Sequence, residues 1–496
     1  MQKSFIISID QGTTGSRVFC FDAAGKILSS AYKEFSQHFP EPGWVEHDAM
    51  EIYNGLVALL NEAVKKADLN LKNASGIAVT NQRETVVMWD RKTGLPIHNA
   101  IVWQCRRTTD ICETLKNNGH SKIIHEKTGL VIDAYFSGTK IQWLLNHVSG
   151  IKARAEKGEI CAGTIDSWLL FKLTGEHKTD YTNASRTMIF NIIEKKWDDD
   201  LLKMLQIPRN ILPEVCPSRN NFGKTKDVPG LPDGIPVLAM AGDQQAALFG
   251  QLCTKPNQAK NTYGTGCFLL YNTGKELIYS KSGLLTTLAC DSEGMPVYAL
   301  EGSVFIGGAV IQWLRDYMKF FANASETDEI IKEIHSDSEN LVFVPAFVGL
   351  GAPHWDMNAR GAIFGLTRNT TPAQMTKAAL KSIALQTMDI TRAMEQDTNQ
   401  NLSFLRVDGG AANNSFLMQY QANILNKRVE RPKNLDTTAL GTAYLAGLES
   451  GLWDMEKLKT FEQNFTSFVP EADELFRNHE IKYWNKAVNR VKNWTE

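Results

Sequence analysis

An acid, Asp10, closes what reads as a short buried strand, and the residues that follow, Gln11-Gly12-Thr13-Thr14-Gly15-Ser16-Arg17, are small, hydroxyl-bearing and finally cationic. A turn of this composition lets backbone N–H groups and hydroxyls approach phosphate oxygens. Arg17 adds a two-pronged cation, and Asp10 can hold Mg2+ through water. Such a turn is a phosphate cradle without a Walker lysine, although an ordinary hairpin closed by an Asx turn uses the same residues. Tyr263-Gly264-Thr265-Gly266 is a second glycine-rich turn in the later half. A lone G-T-G is only a turn, and its interest lies in the pairing, since two such turns can grip a polyphosphate from both sides. Asp408-Gly409-Gly410, with Asn414 at a helix start, suits backbone packed against a nucleotide's base and ribose, and equally suits a plain β–α turn.

The elements that must position these residues alternate in type. Ser4 to Asp10 reads as a strand, with Arg17 to Phe21 and Ile27 to Tyr32 as hairpin neighbours around the turn Asp22 to Gly25. The spacing of Met50, Ile52, Leu56, Leu59, Leu60 and Val64 predicts an amphipathic helix over Asp48 to Ala67, with Asp48 as N-cap and Glu51 as its capping-box partner. Ile77 to Thr80 follows as a strand. Ile235 to Ala241 is a strand ending in Gly242-Asp243, ahead of a helix over Gln244 to Phe249. The opening pattern then recurs, with strands at Lys260 to Tyr263 and Phe268 to Tyr271 around the second turn and a hairpin over Leu284 to Leu300. Phe404 to Val407 leads into the third motif, and helices are expected from about Asn413 to Leu425 and Thr437 to Glu449. Two similar halves meeting near Gly250 give an α/β protein with ligands at the carboxyl ends of its strands.

At 496 residues the chain exceeds one compact core, so two or more domains are expected. Its 53 Lys and Arg against 55 Asp and Glu leave a net charge of −2, which gives no general attraction to nucleic acid or anionic membrane. Met1 to Asp10 is too short an apolar run for a secretory signal, and Leu341 to Pro353, the least polar stretch, is shorter than the ~17 to 25 residues of a membrane helix. No span is expected. The eight Cys show no C-x-x-C and no zinc spacing with His, so reduced, buried thiols are expected.

These motifs, with Gly43-Trp44-Val45-Glu46-His47-Asp48, Asn81-Gln82-Arg83-Glu84-Thr85, Trp103-Gln104-Cys105-Arg106, Tyr135-Phe136-Ser137-Gly138-Thr139-Lys140, Asp180-Tyr181-Thr182-Asn183-Ala184-Ser185-Arg186 and Ala241-Gly242-Asp243-Gln244-Gln245, form an ordered set running end to end. In it the chain resembles the FGGY carbohydrate kinases of the actin-like ATPase superfamily. The resemblance implies two actin-like (ribonuclease H-like) domains, each a mixed β-sheet flanked by helices, around a central cleft, here over residues 1–249 and 250–496. It implies transfer of the γ-phosphoryl of ATP, with Mg2+, to glycerol, giving sn-glycerol 3-phosphate as a first step of glycerol catabolism. Arg83, Glu84, Tyr135, Asp243 and Gln244 would bind the hydroxyls, Trp103 and Phe268 would flank the carbon chain, and Asp243 would be the general base. Thr13, Thr14, Gly15, Arg17, Thr265, Gly308, Gln312, Gly410 and Asn414 would contact the nucleotide, and Asp10 with Asp243 would hold the metal. A triol needs dense fixed donors and acceptors, and Arg83-Glu84 supplies both side by side; outside this context such a pair reads as a surface ion pair.

The resemblance also implies a cytoplasmic homo-oligomer, dimer or tetramer, with no nucleic-acid partner. The alternatives are a kinase of the same family for another polyol or a pentulose, and an actin-like ATPase switch that uses the same phosphate turns without an acceptor site. A dinucleotide-binding oxidoreductase is disfavoured, because no G-x-G-x-x-G follows the first strand. Between Cys216 and Pro236 the chain has no His, and Thr225 to Gly230 lacks a glycine-basic loop. The family's phosphocarrier-dependent activation and fructose 1,6-bisphosphate inhibition are therefore not expected.

Overall fold

The computed structural model describes residues 4–334, 340–461 and 465–495. The chain forms two compact units. The first comprises Met1–Thr254, Thr286–Tyr298 and Thr437–Phe461; the second comprises Lys255–Leu285, Ala299–Asp436 and Glu462–Glu496. The chain leaves the first unit after Thr254, and two later segments return to it.

The first unit is built on a six-stranded sheet in the order Arg219–Lys224, Pro236–Gly242, Ala74–Asn81, Phe5–Gln11, Gly15–Asp22, Ile27–Glu34. Its middle strands Pro236–Gly242, Ala74–Asn81 and Phe5–Gln11 are parallel, and the hairpin Phe5–Gln11/Gly15–Asp22 is antiparallel. The first strand is apolar on both faces because both are covered. Phe5, Ile7 and Ile9 pack with Ile52, Leu56, Leu59 and Leu60 of the helix Ala49–Lys66. Ile6 joins Ala439, Leu440 and Ala443 of the helix Thr437–Glu449 on the other face. Strand alternation sorts the two sets. Ser8, also on the second face, donates its hydroxyl to the Ala439 carbonyl at 2.7 Å. Asp48 caps the helix Ala49–Lys66 as expected, accepting from Met50 N at 2.7 Å and Glu51 N at 3.1 Å. The capping box does not form, because the Glu51 carboxylate instead accepts from the backbone N and hydroxyl of Ser36.

The second unit repeats the local plan. Ala259–Tyr263 is antiparallel to Cys267–Gly274 and parallel to Leu405–Asp408, which is parallel to Val429–Pro432, itself antiparallel to Phe465–Phe468. The helix Pro372–Thr398, started by a Thr371/Gln374 capping box with Pro372 at its first position, buries Ile383, Leu385, Met388 and Met394 in that unit's core. Among the described residues no helix is long and apolar enough to cross a membrane. All eight cysteines are buried free thiols.

Candidate active site

The parallel core of the first unit brings three distant segments to one edge. Gln11 is paired with Asn81, and Asn81 with Gly242, so Asp10 to Gly12, Gln82 to Glu84 and Asp243 leave the sheet together at the carboxyl ends of their strands. Asp243 is the first residue of the helix Asp243–Gly250, one residue earlier than expected, and the buried Gln244 follows it.

Around that edge the side chains interlock. Arg83 Nε lies 3.1 Å from Asp243 Oδ1, and the Arg83 side chain is 2 % exposed against 30 % for Asp243. Arg83 Nη1 also donates to Gln245 Oε1 at 3.3 Å. Gly242 permits this approach, since a Cβ there would lie 2.8 Å from Arg83 Cγ and Cδ. Glu84 holds a left-handed backbone, φ 62°, and its buried carboxylate accepts from Arg186 Nε at 2.6 Å. The Arg186 guanidinium lies 5.6 Å from the ring centre of Tyr135. Tyr135 stands edge-on to Trp103 with centroids 5.4 Å apart. The Trp103 indole N–H donates to Thr13 Oγ1 at 3.0 Å, tying this group to the phosphate turn. Arg83, Glu84, Trp103, Tyr135 and Asp243 are thereby brought together. Phe268 belongs to the second unit, on the strand Cys267–Gly274.

Two residues that sequence reasoning left without a role complete this shell. Arg186 supplies the counter-charge of Glu84. Lys140, fully buried, donates to the carbonyls of Ala134, Tyr135 and Phe136 at 2.8, 2.6 and 3.1 Å, fixing the loop that carries Tyr135. Burial pulls its ammonium down to about 8, opposed by the nearby charge of Glu84. The one signal available was their place in the Tyr135-to-Lys140 and Asp180-to-Arg186 motifs.

In the first turn Gly12 N donates to Gly15 O at 3.0 Å, so the chain reverses over Thr13 and the exposed Thr14. Gly15 sits hard against Tyr32, where a Cβ would meet the ring at 2.6 Å. Arg17 is the cross-strand partner of Asp10, exposed, with its guanidinium 5.0 Å from the Tyr32 ring centre.

The remaining expected nucleotide residues gather within the second unit. Gly264 N donates to Gly266 O at 2.9 Å, and the helix start is stapled to this turn by Gly307 N to Thr265 O and Gly308 N to Gly264 O, both 2.8 Å. The helix Ala309–Asp316 then presents an exposed Gln312. Gly409, φ 85°, lies so close to the first strand that a Cβ would fall 2.5 Å from Tyr263 O, whereas Gly410 faces open space. Asn414 caps the helix Ser415–Leu425, accepting from Leu417 N at 2.7 Å and donating to Thr327 Oγ1 at 3.0 Å. These glycines and exposed polar groups leave backbone accessible, which suits close approach of an anionic ligand.

Known proteins are similar to this chain over its whole length. Residues 5–250 match the N-terminal domain, and residues 259–450 the C-terminal domain, of the FGGY family of carbohydrate kinases. The chain is 57 % identical, over the whole of both chains, to a glycerol kinase of Leptospira biflexa. It is 53 % identical, over 99 % of both, to glycerol kinase 2 of Thermotoga maritima. Among solved structures it is similar to Plasmodium falciparum glycerol kinase with ADP, with a TM-score of 0.93 and 37 % identity over 99 % of this chain and 98 % of that one. With both domains matched in order and full-length relatives above half identity, the chain belongs to the FGGY family of carbohydrate kinases.

Proposed function

We propose that this protein is an ATP-dependent glycerol kinase, moving the γ-phosphoryl of ATP directly onto a terminal hydroxyl of glycerol to give sn-glycerol 3-phosphate. The observation that carries the reading is the pairing of a partly exposed carboxylate, Asp243, with a buried guanidinium, Arg83, beside the neutralised carboxylate of Glu84. That set offers fixed donors and acceptors to adjacent hydroxyls, with Trp103, edge-on to Tyr135, as an apolar wall. An actin-like ATPase switch has no use for such a set.

In this mechanism Arg83, Glu84, Tyr135 and Gln244 hold the hydroxyls. The free oxygen of Asp243 accepts the proton of the attacking hydroxyl as its oxygen bonds to phosphorus and the bond to the ADP oxygen breaks. A base of this kind supplies about 10² to 10⁴ in rate. The rest is positioning and charge neutralisation, because a loose phosphoryl transition state needs no covalent enzyme intermediate. Thr13, Thr14, Gly15 and Arg17 serve the phosphates from the N-terminal family domain, assigned to residues 1–249. Thr265, Gly308, Gln312, Gly410 and Asn414 serve the nucleotide from the C-terminal one, 250–496, where Phe268 also resides. Mg2+ would neutralise charge on the triphosphate oxygens, and would need only one or two carboxylates together with water and phosphate. Asp10 and Asp243 fit that demand, and among the described residues no group of three or more His, Cys, Asp or Glu could hold a metal. We further infer a cytoplasmic enzyme that self-associates as dimer or tetramer.

The test is coupled ADP release with Mg-ATP and glycerol, erythritol, xylitol, ribulose, xylulose or no acceptor, with 31P detection of the product. Glycerol-dependent ADP and a glycerol phosphate are expected. ADP release indifferent to every acceptor overturns the assignment, and a preference for a pentulose moves it to another kinase of the family.

A further inference from the structure

Apart from Arg186, the segment Asp180 to Arg186 has no role in the chemistry above, yet it touches Asn81, Glu84, Tyr135 and Gly242. Asp180 is fully buried at the entrance of a single helical turn, Tyr181–Ala184. Its carboxylate collects five donors. Oδ1 accepts from Asn183 N at 3.0 Å and Asn183 Nδ2 at 2.9 Å; Oδ2 accepts from Thr182 N at 3.0 Å, Thr182 Oγ1 at 2.7 Å and Ser218 Oγ at 2.6 Å.

A carboxylate only accepts, so it fixes the polarity of its partners. Thr182 spends its one hydroxyl proton on Asp180 and is left as an acceptor. It takes the N–H of Gly242 at 2.9 Å. Gly242 is the residue before Asp243 and is packed on the Arg83 side chain. Asn183 turns its amide N–H toward Asp180 and presents its carbonyl, which accepts from Asn81 Nδ2 at 3.0 Å; Asn81 Nδ2 also donates to the carbonyl of Gln82, the residue before Arg83, at 2.9 Å. At the far end of the same segment Arg186 holds Glu84. One buried acid thus sets the direction of two hydrogen-bond relays, each ending on the backbone next to a reacting or binding residue.

From this geometry we infer that Asp180 is a positioning residue for Asp243 and Arg83, acting through Thr182 and Asn183. The inference rests on the reading of Asp243 as base. A carboxylate displaced by a fraction of an ångström loses its line to the hydroxyl while nucleotide binding, served elsewhere, is untouched.

The experiment compares Thr182→Val, Thr182→Ser, Asp180→Asn and Asp243→Asn in the full chain. It measures kcat and the KM of glycerol and ATP, with ADP-binding stoichiometry by calorimetry so that rates are expressed per folded site. Thr182→Val keeps the shape and removes the relay. It is expected to lower kcat per site by about 10- to 100-fold with the KM for ATP unchanged, and Thr182→Ser, which keeps the hydroxyl, to recover most of that loss. Asp180→Asn should fall at least as far as Thr182→Val. A Thr182→Val enzyme with the wild-type rate per ADP-binding site overturns the inference, as does a Thr182→Ser enzyme equally impaired. If Asp243→Asn is itself active, the base assignment fails and takes this inference with it; an inactive Asp243→Asn beside a fully active Thr182→Val overturns the relay alone.

Discussion

Arg83 approaches Asp243 from the buried side, its Nε 3.1 Å from one carboxylate oxygen, and the exposed remainder of Asp243 is available to a ligand. The guanidinium orients that carboxylate while leaving it an oxygen to work with. Asp243→Asn keeps the shape and removes the proton acceptor. We expect turnover to fall by about 10² to 10⁴ with ADP affinity within a factor of two or so of wild type, read by steady-state rates and calorimetry. Near-wild-type turnover would remove Asp243 as base.

Gly242→Ala tests the same pair from the backbone. The new methyl would need the space 2.8 Å from Arg83 Cγ and Cδ, and Arg83 is too buried to swing freely into solvent. Displacing it should raise the KM for glycerol at least about tenfold, in keeping with a misplacement cost of up to 10²-fold, and leave the KM for ATP alone. A parallel loss of ATP affinity would contradict the place given to Arg83.

The mirror-image outcome is expected at Gly409. Alanine there faces both a left-handed backbone and the Tyr263 carbonyl at 2.5 Å, so the strand and turn must part. Gly409→Ala should weaken ADP binding, measured by calorimetry, and leave the KM for glycerol nearly unchanged. The converse pattern would remove the third glycine motif from the nucleotide site.

Lys140 gives a pH signature. Its ammonium has three donors for three carbonyls, and a neutral amine has two, so above about 8 one carbonyl of the Tyr135 loop loses its partner. The KM for glycerol should be flat below that pH and rise above it. Stability runs the other way. The folded value of about 8 lies below the ordinary 10.5, so this lysine's contribution is complete above 10.5 and is lost as pH falls to about 8. Lys140→Met should show a high KM at every pH with no inflection, and an inflection that survives this substitution would clear Lys140 of responsibility.

The strands Phe5–Gln11 and Pro236–Gly242 were legible because a short apolar run closed by an acid or a glycine has few other readings. The repeated hairpin-and-parallel-strand plan followed from the two glycine turns. Lys140, Asp180 and Arg186 carried no such mark, since a charge among Ser, Thr, Asn and Tyr reads as a solvated turn. Only three-dimensional packing reveals that all three are buried. Glu51 satisfied the capping-box spacing and bonds Ser36 instead, a tertiary contact that local spacing cannot anticipate. The helix Thr437–Glu449 was foreseen, but nothing in its sequence names the sheet it covers.

That helix has a consequence for how the protein is made. Gly441 and Ala246 are so close that a Cβ on the former would lie 1.8 Å from the latter's carbonyl, and one on Gly250 would lie 2.0 Å from Thr437 O. The short helix that begins with Asp243 is therefore seated against a segment translated almost 200 residues later, by the separation of Asp243 and Thr437 in the numbering. During synthesis the first unit must wait, with one face of its central sheet uncovered by the helix Thr437–Glu449, until residues 437–461 emerge. The first unit is thus complete only once the second unit's residues up to Asp436 have already been made, and a fragment halted before Thr437 is expected to be inactive and to aggregate rather than to keep half of the activity.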